Sequence, residues 1–160
     1  MVYIARSGFA YSPKEVRINL LVLFGERAKR SGLKGYSMIW GDGDRVYVNM
    51  KPPYDRVALL NLAAPELRPV LQIRAVRFAA AEIPAAQERI GAALKPVGAG
   101  WGITYDYRSD RFEVMIPESF VPTALSLVPL DLSDYTDVSV GGEIVSLGQS
   151  RTSQPIKDPR

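Results

Sequence analysis

The sequence predicts an α+β fold built as two tandem small units, each a helix packed on a short antiparallel sheet in the order helix, hairpin, helix, strand. The first observation behind this is a repeated script. Gly35-Tyr36-Ser37-Met38-Ile39-Trp40 turns through Gly41 to Arg45 into Val46-Tyr47-Val48-Asn49-Met50. Gly100-Trp101-Gly102-Ile103-Thr104-Tyr105 turns through Asp106 to Asp110 into Arg111-Phe112-Glu113-Val114-Met115-Ile116. The pairs Asp44-Arg45 and Asp110-Arg111 lie 66 residues apart in a chain of 160, so the repeat covers nearly the whole length. The second observation is that a stretch with helical apolar spacing precedes each hairpin. The third is a composition of 47% hydrophobic and 23% charged residues, which suits a globular chain. These place the first unit at residues 1–78, the second at 79–147 and a polar, disordered tail at 148–160.

Residues up to Tyr11 show no clear period. Ser12-Pro13-Lys14-Glu15 then supplies a helix start, with Ser12 as cap and Pro13 where a missing amide costs little. The helix runs to about Arg30, with Val16, Leu20, Leu23, Phe24 and Ala28 on its apolar side, and Gly32 and Gly35 end it. In the first hairpin Val46 and Val48 face one side while Tyr47 and Asn49 face the other, so this sheet is expected to have a wet face. Val57 to Leu71, broken by Pro65 and Pro69, is short helix or irregular chain, and Gln72 to Phe78 is a third strand. The second unit opens with a helix over Ala79 to Lys95 carrying Ile83, Gln87, Ile90 and Leu94 along one side. After the second hairpin, a short helix from Ser119 to Val128 and one strand over Asp137 to Leu147 complete the parallel.

Composition also excludes chemistry. With neither cysteine nor histidine, thiol nucleophiles, disulfides, structural zinc, haem ligation and histidine bases are unavailable. A serine nucleophile would need lysine as base, and Lys14, Lys95 and Lys157 fall in expected caps and tail, so the chain is not read as an enzyme and no cofactor is expected. Gly41-Asp42-Gly43-Asp44 opens like a calcium loop but continues into Val46 and Tyr47, with Pro53 where the final Glu belongs, so it is a hairpin turn. Asp131, Asp134 and Asp137 recur every third residue but define no metal site alone, and none is expected. Gly98-Ala99-Gly100-Trp101-Gly102 leads into a strand, whereas phosphate loops open a helix. The run Ile18 to Phe24 is too short to span a membrane, and Glu26 with three basic residues follows it where a signal peptide would be cleaved, so no insertion and no export signal are read here.

Seven aromatic residues, Tyr36, Trp40, Tyr47, Trp101, Tyr105, Tyr107 and Phe112, crowd into the two hairpins. Part of this serves the core. The rest marks a sheet that grips a partner, and Trp40, Tyr47, Tyr105, Tyr107, Arg111 and Phe112 are the candidate partner-binding residues. Net charge is +3 at a sequence pI near 9.2, yet the basic residues are scattered, and Arg27, Lys29, Arg30 and Lys34 suit a helix C-terminus. Base stacking would want arginines on the aromatic face, while Arg45 and Arg111 sit at turns, so a protein partner is preferred to nucleic acid. A small-molecule pocket between the lobes is the remaining alternative.

The order helix, hairpin, short helix, strand resembles the pro regions of α-lytic-protease-type secreted serine proteases. Gly-Tyr-Ser-Met-Ile-Trp…Asp-Arg-Val-Tyr-Val from Gly35 and Ala-Ala-Gln-Glu-Arg-Ile…Gly-Ile-Thr-Tyr-Asp-Tyr-Arg-Ser-Asp-Arg-Phe-Glu-Val from Ala85 carry the likeness, which covers residues 30–142. The resemblance implies a non-catalytic partner that assists folding of a protease domain, inhibits it and docks by strand addition. It also implies a location outside the cytoplasm. The tail from Gly148 would then occupy the protease's substrate groove.

Overall fold

Helix α1 (Pro13–Arg30) has Glu15 in its first turn and Arg27, Lys29 and Arg30 in its last, the placement the helix dipole favours. Its end is a Schellman motif. Gly32 adopts φ +63°, its amide donates to the Lys29 carbonyl at 3.2 Å, and the Leu33 amide donates to the Ala28 carbonyl at 3.1 Å. The helix comes from a computed structural model that describes residues 13–98, 100–140 and 143–146, the last four by backbone alone. The expectations for the segment up to Tyr11, the Ser12 cap, Ala99 and the tail from Gly148 lie outside the described residues. Two units divide the chain, Met1–Ala81 and Glu82–Arg160.

In the first unit β1 (Tyr36–Asp42) and β2 (Arg45–Met50) form an antiparallel hairpin. Two residues close it, and Gly43 at φ +55° followed by Asp44 at negative φ has the signs of a type II′ turn, whose twist matches the strands. Asp55 caps α2 (Arg56–Leu62), its Oδ1 accepting from the amides of Val57 at 2.8 Å and Ala58 at 3.0 Å. The helix stops before Pro65, and a single 3-10 turn at Arg68–Val70 leads into β3 (Leu71–Ala75). The core joins Phe24 and Ala28 of α1 to Val46, Val48 and Met50 of β2 and to Leu59 of α2. Leu23, expected on the core side, is 45% exposed. The packing axis of α1 runs through Leu20, Leu21, Phe24 and Ala28, and each residue advances about 100° around the helix.

The second unit starts with α3 (Ile83–Leu94), which buries Ala86, Ile90 and Leu94. It begins four residues later than expected. Pro84 has no amide to bond the Ala80 carbonyl, and the Ala80 amide itself bonds the Tyr36 carbonyl at 2.9 Å. A 3-10 turn at Lys95–Val97 precedes the hairpin of β4 (Gly102–Asp106) and β5 (Arg111–Met115). A 3-10 turn at Glu118–Phe120, α4 (Val121–Leu127) and the one-turn α5 (Leu130–Ser133) follow. The single strand expected over 137–147 is instead two, β6 (Thr136–Val140) and β7 (Glu143–Ser146), paired antiparallel with Val140 opposite Glu143. The Gly141-Gly142 pair that a period-2 reading passes through is a strong break signal.

The α+β architecture of two tandem helix-and-sheet units is as the sequence predicts, but the sheets are mixed rather than antiparallel throughout. The first has order β1-β2-β3 and the second β4-β5-β6-β7. In both, the strand after the hairpin pairs parallel to the hairpin's second strand, β3 on β2 and β6 on β5. The physical reason is the connection, because a helical crossover returns the chain to the same end of the sheet, as parallel pairing requires.

Candidate partner-binding site

Register decides which candidates can share a surface. In the first hairpin the pair Asp42 and Arg45 flanks the turn, followed by Gly41 with Val46 and Trp40 with Tyr47. In the second, Asp106 and Arg111 flank the turn, followed by Tyr105 with Phe112 and Thr104 with Glu113. Counted from the turns, Trp40 and Tyr47 therefore correspond to Thr104 and Glu113, while Tyr105 and Phe112 correspond to Gly41 and Val46. Val46 and Phe112 are both fully buried. The aromatic pair thus lies on the outer face of the first sheet and on the core face of the second.

The outer face of the first sheet is specific. The Trp40 and Tyr47 rings stack with centroids 4.4 Å apart and planes 20° apart, and Trp40 Nε1 donates to Asn49 Oδ1 at 3.2 Å. Asn49, expected on a wet face, is fully buried. Strand β3 sets Gln72 beside Tyr47 and Arg74 beside Asn49, so this face carries Met38, Trp40, Tyr47, Gln72 and Arg74, with Arg45 at its turn end.

In the second unit the four remaining candidates serve the fold. Phe112 is fully buried and offers a partner nothing; alternation on a half-buried strand puts it on the same face as buried Val114. Tyr105 packs on Phe112 at 5.2 Å and its hydroxyl donates to Asp110 Oδ1. Asp110 holds φ +61° at the end of a four-residue turn. Half-buried Tyr107 lies in that turn, with the Arg108 guanidinium 6.0 Å from its ring centroid. Arg111 forks onto Asp137, Nε to Oδ2 at 2.6 Å and an Nη to Oδ1 at 2.7 Å, and donates to the Asp134 carbonyl at 2.7 Å. The Asp137 hydrogen bonds raise the Arg111 pKa further, so its charge is committed to tying β5 to β6. Trp40 and Tyr47 belong to the first unit, and Tyr105, Tyr107, Arg111 and Phe112 to the second.

The aspartate series divides in the same way, since Asp131 forks onto Arg89 at 2.8 and 2.9 Å while Asp137 holds Arg111. Among the described residues no cluster of three acidic groups could hold a metal ion. One serine–lysine spacing that the sequence reading passed over, Ser31-Gly32-Leu33-Lys34, sits at the end of α1, where the Ser31 hydroxyl donates to the Ala28 carbonyl at 3.1 Å. Ser37 Oγ, at a bulge of β1, is buried with no partner among the described residues. Between α1 and the β1–β2 turn runs an open groove of about 710 Å³ whose walls include Lys14, Arg17, Ile18 and Leu21. Arg17 crosses it to donate to the Gly43 carbonyl at 3.2 Å.

Strand addition needs an open sheet edge, and the sequence does not say which strand supplies it. At the edge of the first sheet, β1 is blunted by the Tyr36/Met38 bulge and by the Ala80 bond, and β3 carries Arg74. At the edge of the second, β4 pairs with β5 through five unbroken positions and has no proline, lysine or bulge. Its sequence signal was the charge-free Gly102-Ile103-Thr104-Tyr105 run itself. No protein-family model matches the chain, and no curated protein matches it. Among the described residues no helix is long and apolar enough to cross a membrane.

Proposed function

We propose that this chain is a non-catalytic protein-binding module, like a serine protease pro region, that takes its partner's strand onto the outer edge of β4. One observation carries the reading: among the described residues β4 is an edge strand with no proline, lysine or bulge, its one charge, Asp106, standing at the turn end. An edge of this kind supplies main-chain amides and carbonyls for affinity, and the side chains alternating along it supply specificity. The partner is a trypsin-like protease domain, which the chain assists in folding and then inhibits outside the cytoplasm. The test is to titrate the full chain into a purified α-lytic-type protease, following both residual activity and the yield of refolded enzyme, with amide hydrogen exchange read across β4. Inhibition with new protection at Ile103 and Tyr105, whose amides point away from β5, is expected. Absence of both inhibition and refolding assistance refutes the protease partner, and inhibition without protection of β4 refutes strand addition.

A second reading has its own observation. Arg45 and Arg74 share the outer face of the first sheet with Trp40 and Tyr47, the combination that single-stranded nucleic acid uses. Oligonucleotide binding that falls steeply between about 50 and 200 mM salt would favour it.

A further inference from the structure

Helix α1 is apolar nearly all round its middle, and its outward side is not the charged surface of an ordinary surface helix. Ile18 is 49% and Val22 56% exposed, and exposed Lys14 and Glu26 stand one helical step before and after them. Residues four apart form one inclined ridge on a helix, so Lys14, Ile18, Val22 and Glu26 make a single row reading basic, apolar, apolar, acidic. Lys14, in the first turn, runs against the helix dipole, which favours an acid there. Among the described residues neither Lys14 nor Glu26 takes part in an ion pair. The helix itself therefore gives no reason for a base at Lys14.

The order has a property of its own, in that reversing the row produces its complement. Laid antiparallel on a second copy, Lys14 meets Glu26, Ile18 meets Val22, and each contact occurs twice. A two-fold axis requires this self-complementarity of a patch that pairs with itself. Ridges formed by residues four apart also align when two such helices pack by the commonest interhelical geometry.

We propose that this ridge of α1 is the docking surface for a second copy of the chain, paired antiparallel about a two-fold axis between Ile18 and Val22. A single helix pair lies at the small end of specific interfaces, so the dimer is weak, with dissociation on the order of 100 µM. The inference uses another surface from strand addition at β4 and does not depend on it.

Sedimentation analysis of the full chain tests it. Between about 5 and 500 µM, a range spanning that affinity, the weight-average mass should rise from 17.6 kDa towards twice that value. A mass fixed at 17.6 kDa across the range overturns the proposal. Lys14→Glu sets glutamate against Glu26 at both ends and should weaken the dimer about tenfold, an effect that added salt reduces. Lys14→Glu combined with Glu26→Lys inverts the row but keeps it self-complementary, so association should return to within about twofold of the original by restoring the two surface pairs. Both variants change exposed residues only, and circular dichroism checks that each remains folded. If the double variant stays as weak as the single one, or the single one is without effect, the pairing is wrong. If the chain self-associates but Val22→Glu leaves the affinity unchanged, the copies meet elsewhere and the ridge assignment fails.

Discussion

Replacing Gly35 by alanine should cost far more stability than replacing Gly32, although both glycines lie between α1 and β1 and both have positive φ. At Gly35, φ is +80°, and an added Cβ would lie 2.2 Å from the Lys51 carbonyl oxygen, a backbone atom that cannot swing aside. At Gly32, φ is +63° and nothing lies within 4 Å of the added atom. Left-handed backbone costs a non-glycine residue about 1–2 kcal/mol at either site, offset in part by roughly 0.4–1 kcal/mol from a less flexible unfolded chain. Gly32→Ala should therefore destabilise by about 1 kcal/mol. At Gly35 the strands must also separate. That breaks the 2.7 Å bond from the Lys51 amide to the Gly35 carbonyl and disturbs the adjacent pairing of Tyr36 with fully buried Met50. A lost hydrogen bond adds about 1 kcal/mol and forced repacking about 1–3 kcal/mol, giving a total near 3–5 kcal/mol. The assay is urea unfolding followed by Trp40 fluorescence in a Trp101→Phe background, since the chain has only two tryptophans and Trp101 lies in the second unit. Equal losses in the two variants, within about 0.5 kcal/mol, would refute the reasoning, because additivity errors are no larger than that.

Asp137→Ala removes two charge-assisted hydrogen bonds from half-buried Arg111 and should lower stability by about 1.5–3 kcal/mol, seen as several degrees in a thermal melt; an unchanged melting temperature would refute this account of the β5–β6 tie. Burial pushes the Tyr36 hydroxyl up to about 12 against a small opposing backbone hydrogen bond from Ile39. Because the folded state holds this proton more tightly, the stabilisation is complete below pH 10 and is lost as pH rises from there through 12. Wild type should thus lose roughly 2–3 kcal/mol more than Tyr36→Phe between pH 9 and 12 in parallel denaturant titrations, and matching losses would contradict it. At Asp106, burial acts upward but is outweighed by hydrogen bonds from the Ser109 hydroxyl and the Arg108 and Ser109 amides and by the Arg108 charge, so its pKa lies below the ordinary 3.8. Its contribution is full above that value and fades as pH falls below it. The stability gap between wild type and Asp106→Asn should hold steady from pH 8 to 5 and close in stronger acid, where a constant gap would show that the charge is irrelevant.

Features that depend on neighbours in the chain were legible in the sequence. The limits of α1, the two hairpins, the proline-bounded irregular stretch before β3 and the closing glycines follow from periodicity, caps and turn chemistry, which act over four residues or fewer. The repeated Asp-Arg signature also located both hairpins correctly. It concealed a difference in turn length, two residues against four, which shifts the strand partners and sends Trp40 and Tyr47 outward but Tyr105 and Phe112 inward. The candidate site was therefore legible only as a list of aromatic residues; its division between an outer face and a core was not. Leu23 against Leu21 on α1, the parallel seating of β3 and β6, the burial of Asn49 and the place of β4 at a sheet edge have the same character. Each is fixed by what approaches from a distant part of the chain, and a one-residue change of register or a rotation of about 100° reverses which side of an element is buried without altering any local preference. Local periodicity and turn chemistry determined which elements the chain forms, and long-range packing decided which of their faces are buried.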